Sequence, residues 1–286
     1  MMKMKKNFKL LIYLLPIIVF SQTKNYCENQ NCSLGKEDSA HFDPYFNGHL
    51  CENFNPNQKD FSKEYLDIQI ANYEEDSFDV TDSVKGFNFD VKSLFLSGEQ
   101  AENGVIGLDY KRIQFYIYKA KQDTENPRVF KIYGKSNVKG NICDFKGEIR
   151  IQKIIEFKES DLDLKQGNIF ATYEFFEDKT QNHVGVFKGS FESQITFDFS
   201  KKLIALDDSF DSADSYFNRT YVGTWQSYKT GKIKKCIWGD YRLPFTFDFD
   251  CGDGEMLVCP KYVKNGWETF NDGSEYLNEN KWWKNK

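Results

Sequence analysis

The stretch 248–255, Asp-Phe-Asp-Cys-Gly-Asp-Gly-Glu, gathers Asp248, Asp250, Asp253 and Glu255 around two glycines. Carboxylates at this spacing are hard oxygen donors of the kind that hold calcium. An EF-hand counted from Asp248 would need an oxygen ligand where Gly252 stands and its closing glutamate where Cys259 stands. Calcium in a non-standard acidic loop is therefore the one cofactor the sequence offers, against the plainer reading of a solvated Gly-rich turn. Cys236, Cys251 and Cys259 lie in the same region but lack the close pair of a zinc knuckle. His41, His49 and Cys51 could hold a transition metal only if the fold brought them together across Pro44 and Gly48. Nucleophile elbows, phosphate loops, dinucleotide fingerprints and zinc-protease helices are missing from the chain. Two carboxylates of a glycosidase can be drawn from 43 acids in many ways, so their number selects no pair. Trp225, Trp238 and Trp267, if exposed, would suit stacking against a carbohydrate.

The meaning of the cysteines depends on compartment. Residues 1–21 read as a signal peptide, with Lys3, Lys5, Lys6 and Lys9 before the apolar run Leu10–Phe20 and a cleavage site expected between Ser21 and Gln22. No later run approaches a membrane span, so the mature chain is expected to be exported, periplasmic or secreted, with no transmembrane segment. In an oxidising compartment Cys27, Cys32, Cys51, Cys236, Cys251 and Cys259 are disulfide candidates. Cys27 with Cys32 and Cys251 with Cys259 would be local bridges, and Cys51 with Cys236 would join the two ends. Cys143, the odd one of seven, is expected to be buried and free.

Charge narrows the partners. The whole chain carries −5, and its first 22 residues hold four lysines and no acid, leaving about −9 for the remainder. With no basic stripe interleaved with aromatics, nucleic acid is not an expected partner.

The elements that must position these residues are strands. Aromatic residues make up 17% of the chain, with 27 Phe and 16 Tyr, a composition suited to pleated, half-buried surfaces. Alternation runs through Phe87, Phe89 and Val91, and through Ile113, Phe115 and Ile117. It continues in 128–158, which looks like three strands, and in 168–178, 183–200 and 201–208. Residues 22–83 form a loop-rich, cysteine-containing segment with one short strand expected at 65–73. Residues 84–286 form the main domain. The expected fold is all-β: an antiparallel barrel or two-sheet sandwich with loop-rich, cysteine-bearing N- and C-terminal segments. The aromatic stripes either line a ligand cavity or fill the core.

The segments "IYGKSNVKGNICDFKGEI", "ATYEFFEDKTQNHVGVFKGSF" and "FNRTYVGTWQSYKTGKIKKCIWGDYRLP" resemble a group of uncharacterised exported proteins of Bacteroidota, as does the leader ending "FSQ". The resemblance covers roughly residues 85–270 and implies no activity and no catalytic residues. Against that group's expected "DFDIGAGE", Cys251 looks like a local addition paired with Cys259. Export, acidity and aromatic richness together lead to the expectation of a binding or interaction module for a glycan, lipid or protein. The alternative is a secreted hydrolase of polysaccharide or lipid using paired carboxylates.

Overall fold

The computed structural model describes residues 42–43, 48–49, 60–160, 163–213, 216–252, 255–274 and 281–284. The leader, Cys27, Cys32, Cys51, His41 and Asp253 lie outside them.

Eight strands close into an antiparallel barrel. Before them come the two-residue pair β1 (Phe42–Asp43) and β2 (Gly48–His49), helix α1 (Ser62–Asn72), β3 (Ser77–Asp79), β4 (Asn88–Phe89) and the short α2 (Val91–Leu94). The barrel strands are β5 (Glu102–Ile106), β6 (Lys111–Gln122), β7 (Val129–Val138), β8 (Asn141–Phe157), β9 (Lys165–Glu177) and β10 (Gly185–Asp198). After the side strand β11 (Leu203–Leu206) the barrel resumes with β12 (Phe217–Ser227) and β13 (Ile233–Tyr241). Each barrel strand pairs with its sequence neighbour across β11, and β13 returns to β5, so the meander has no free edge between first and last strand. The sandwich alternative is thereby settled in favour of the barrel. Residues 128–158 hold two long strands, β7 and β8, in place of the three expected, because the only tight turn there is at Lys139-Gly140.

Period-two alternation decides what enters the barrel. Ile113, Phe115 and Ile117 all point inward, as their spacing predicts. The interior is crossed by rings. Phe115 of β6 meets Phe187 of the diametrically placed β10 at 5.1 Å between centroids and stacks on Trp238 of β13 at 3.9 Å. Tyr221 stacks on the other side of this ring system, 4.5 Å from Trp238. Glycine makes room for them. A Cβ at Gly104 would fall 2.4 Å from Trp238 Cβ, and one at Gly223 would fall 2.7 Å from Tyr173 Oη. The recurrent Phe-Lys-Gly at 145–147 and 187–189 repeats the pattern, ring inward, lysine outward, glycine inward beside a neighbour's bulk. Of the two roles open to the aromatic stripes, they fill the core at this level.

Two expected strands have become caps and covers. Residues 86–98 do not run on as one strand. The Asp90 carboxylate accepts from Ser93 N at 3.2 Å and turns the chain into α2, which lowers Leu94 and Phe95 into the upper mouth of the barrel. Residues 65–73 form α1, not a strand, because Tyr65, Leu66, Gln69, Ile70 and Tyr73 follow helical spacing. That face packs on the outer wall, where Leu66 meets Ile155 and Phe170.

The C-terminal residues cover the outside of β5, β12 and β13. A 3-10 turn (Phe247–Phe249) and the short helix α3 (Pro260–Val263) pack Phe249 and Trp267 against Val105, Val222 and Ile237. Cys251 and Cys259 are bridged, closing a hairpin within this cover. Reduction is expected to remove about 2–3 kcal/mol of stability through the freed loop entropy, measurable as a lower urea midpoint in dithiothreitol that Cys251→Ser reproduces. Cys143 is buried and free, as expected. Cys236 corrects its assignment as a disulfide candidate: β13 alternation points it into the packed interior, where it is a free thiol. Trp282 and Trp283 also lie on the wall, Trp283 stacked on Tyr116 at 4.6 Å.

Candidate functional site

Two places on this frame concentrate polar chemistry, one at each end of the barrel. The upper end carries Glu102, Arg219 and Asp240. A bulge in β12 between Asn218 and Tyr221 sets Arg219 at a φ of 42° and turns its side chain inward. Its guanidinium donates Nε and Nη2 to the two oxygens of Asp240, both at 2.7 Å, and Nη1 to Leu96 O at 3.2 Å. Glu102 Oε1 lies 3.3 Å from the same Nη1 and accepts from Ser97 Oγ at 3.2 Å, while its Oε2 is buried without a partner. Burial raises the Glu102 carboxyl to about 7 despite Arg219, and Asp240 adds to the rise. Burial works to lower the guanidinium's pKa, but Glu102 and Asp240 together push it up. Two carboxylates thus converge, the minimum a glycosidase requires. A guanidinium grips one of them bidentately and ties the cluster to Leu96, so the arrangement seals the upper mouth.

At the lower end Glu177 is the last inward residue of β9. Its carboxylate accepts from Ser136 Oγ at 2.6 Å, Gly185 N at 2.8 Å and Trp225 Nε1 at 2.9 Å. Burial raises its pKa, and these hydrogen bonds oppose the rise. The neighbouring Cys143 thiol is pushed up to about 11, chiefly by burial and then by the Glu177 charge, so it is a poor nucleophile at neutral pH.

Outside this plug the wall is aromatic. Tyr133, Lys146 and Phe176 are consecutive cross-strand neighbours on β7, β8 and β9, all in the outward phase. With Tyr118 and Tyr228 they line an open groove of about 520 Å³, rimmed by Asp144, Asp178 and Lys179. Tyr118 is 51% exposed and Phe176 41%. A second concavity of about 400 Å³ adjoins it, lined by His183, Trp225 and Lys229, and the two share Lys179 and Tyr228. The intervening turn is fixed. Asp178 accepts from Thr180 N and Oγ1, and Gln181 exchanges hydrogen bonds with Asp144 N and Oδ2. Lysines overhang the rings, Lys119 over Tyr133 and Lys179 over Tyr228 at 5.0 Å each, and Lys234 over Trp225 at 5.5 Å.

The residues singled out from sequence fall elsewhere. Trp238 and Trp267 are fully buried, which removes them as exposed stacking platforms. Trp238 is a central ring of the barrel, and Trp267 lies under the C-terminal cover with its Nε1 donating to Tyr110 O at 2.8 Å. Trp225 is half-buried and borders the second concavity. Of the acids of the 248–255 loop, Asp248 and Asp250 are held by protein donors, Glu255 is exposed, and Asp253 lies outside the described residues. Asp248 is paired with Lys261 and Tyr262. Asp250 is paired with Arg242 and accepts from the backbone N of Gly252 and Leu257. Among the described residues no three His, Cys, Asp or Glu side chains are grouped to hold a metal ion.

Comparison with family models, curated proteins and solved structures gave no match. The class is therefore defined by the fold itself, a closed antiparallel up-and-down barrel with a ring-packed interior and an aromatic groove on its outer wall. No described helix is long and apolar enough to cross a membrane.

Proposed function

We propose that the protein is an exported binding module that takes a glycan on the outer-wall groove of Tyr118, Tyr133, Phe176 and Tyr228. One observation carries this reading: a run of outward-facing rings, Tyr118 and Phe176 exposed and Tyr133 and Tyr228 half-buried, whose rims bear Asp144, Lys146, Asp178 and Lys179. A sugar ring has an apolar face edged with hydroxyls, and this surface offers the complement of both. Rings bridging the barrel's diameter at Phe115 and Phe187 weigh against a lipid held at that level inside. The Cys251–Cys259 bridge supports an oxidising compartment and hence export.

The test is a Tyr118→Ala/Phe176→Ala variant. Both side chains are exposed, so its stability is expected to stay within about 1 kcal/mol of the parent. Binding to soluble polysaccharides, followed by affinity electrophoresis, is expected to weaken at least about tenfold. Retention of full affinity by the variant would remove the groove from the reading.

A further inference from the structure

We infer that the glycan this groove takes is anionic, its carboxylate, sulfate or phosphate groups received by a basic pole at the lower end of the barrel. This rests on the glycan-binding reading above and adds the ligand's charge to it.

The barrel is electrically polar along its axis. Antiparallel strands return their turns alternately to the two ends. The lower turns are 107–110, 139–140, 178–184 and 228–232. They carry Lys139, Lys179, Lys229 and Lys232 against Asp109 and Asp178. From Thr220 to Gly239 there is no acid at all, while Lys229, Lys232 and Lys234 cluster at the 228–232 turn. The upper connections have the opposite sign, with Asp123 and Glu125 against Arg128 in one and Asp207, Asp208, Asp211 and Asp214 against Lys201 and Lys202 in another. A chain that is acidic overall therefore presents its positive charge at the end where the two aromatic concavities meet.

These lysines are also uncommitted. Lys63, Lys131, Lys201 and Lys261 elsewhere are each paired with a carboxylate. Among the described residues no ion pair holds Lys139, Lys179, Lys229, Lys232 or Lys234. Lys179 and Lys234 rest instead over the faces of Tyr228 and Trp225. A ring-bearing anion can take over that face and pair with the displaced ammonium, so stacking and charge are satisfied by one move. An anionic membrane fits less well, because among the four lower turns Leu108 is the single Phe, Leu, Ile or Trp available to enter the interface.

The experiment compares polygalacturonate with its fully methyl-esterified form, which keeps the sugar and removes the charge, alongside polyglutamate and anionic phospholipid vesicles. At low salt the acid polymer is expected to bind the full chain at least about tenfold more tightly than the ester, with the difference largely screened near 1 M salt. Lys229→Gln/Lys232→Gln, exposed turn positions, is expected to cut the acid polymer's affinity severalfold while leaving the ester's affinity and the thermal midpoint unchanged. Equal affinity for acid and ester would overturn the charge inference and leave the glycan reading standing. Equal binding of polyglutamate or vesicles would reduce the site to general polyanion attraction and overturn the inference. Binding to none of the four would overturn both.

Discussion

Arg219→Met is expected to cost about 3–5 kcal/mol, because it leaves Asp240 and Glu102 buried beside an uncharged side chain. In a chain of this size that loss lowers the thermal midpoint by roughly 10 °C. The geometry gives the reason. Arg219 gives three donors to the cluster, two on Asp240 and one shared between Leu96 O and Glu102, and Asp240 is its bidentate partner. Glu102 is the surplus acid, and burial already holds its carboxyl near 7. Without the guanidinium the Glu102 carboxyl is driven further toward the protonated form. The penalty should therefore shrink toward pH 4.5, where the unfolded chain also holds the Glu102 proton. A second substitution, Asp240→Leu, is expected to recover much of the loss by removing the orphaned charge. Urea unfolding of the two variants at pH 5 and pH 8 checks both statements. An Arg219→Met variant as stable as the parent at pH 8 would show that the cluster does not secure the upper mouth.

How much of this was readable beforehand varies with the physics involved. The inward phase of β6 follows directly from Ile113, Phe115 and Ile117, because one buried face imposes period two. Burial of Trp238 was not readable, since tryptophan suits a core and a sugar platform equally. Its place was settled by Gly104 on the neighbouring strand, a cross-strand relation absent from local sequence. The short elements failed for a related reason. Phe87, Phe89 and Val91 alternate like a strand, but the Asp90 cap and burial of Leu94 and Phe95 outweigh that pattern over so few residues. The groove did leave a trace. In "ATYEFFED" Tyr173 and Phe175 take the inward phase, so Phe176, the second of two successive phenylalanines, must face out. The basic pole left less. Lys139 and Lys179 are far from Lys229 in sequence, and only closure of the barrel brings their turns to one end.

Glu192→Gln is expected to change the pH dependence of folding more than any other single carboxyl substitution outside the Arg219 cluster. Glu192 faces outward from β10 beneath α1, is fully covered, and accepts a hydrogen bond from Tyr65 Oη. No cation pairs with it among the described residues. Desolvation pushes its carboxyl up to about 7 against an ordinary 4.5, with the Tyr65 hydrogen bond opposing the rise. The unfolded chain releases this proton near pH 4.5 and the native state keeps it until about pH 7. Between those values the native state therefore holds the extra proton, and stability falls as pH rises. The loss is on the order of 3 kcal/mol by the top of that window and is constant above it. Glutamine keeps an acceptor for Tyr65 and has no proton to lose. The stability of the variant relative to the parent should thus improve steadily from pH 5 to pH 7 and then level off. The same ionisation acts on α1, whose Tyr65 rests on this carboxyl and on the Phe245 ring. Amide exchange in residues 62–72 should therefore quicken in the parent between pH 6 and pH 8, after correction for intrinsic rates, and not in the variant. A constant offset between the two proteins across that range would mean that Glu192 is already ionised under α1, with the helix tolerating the charge.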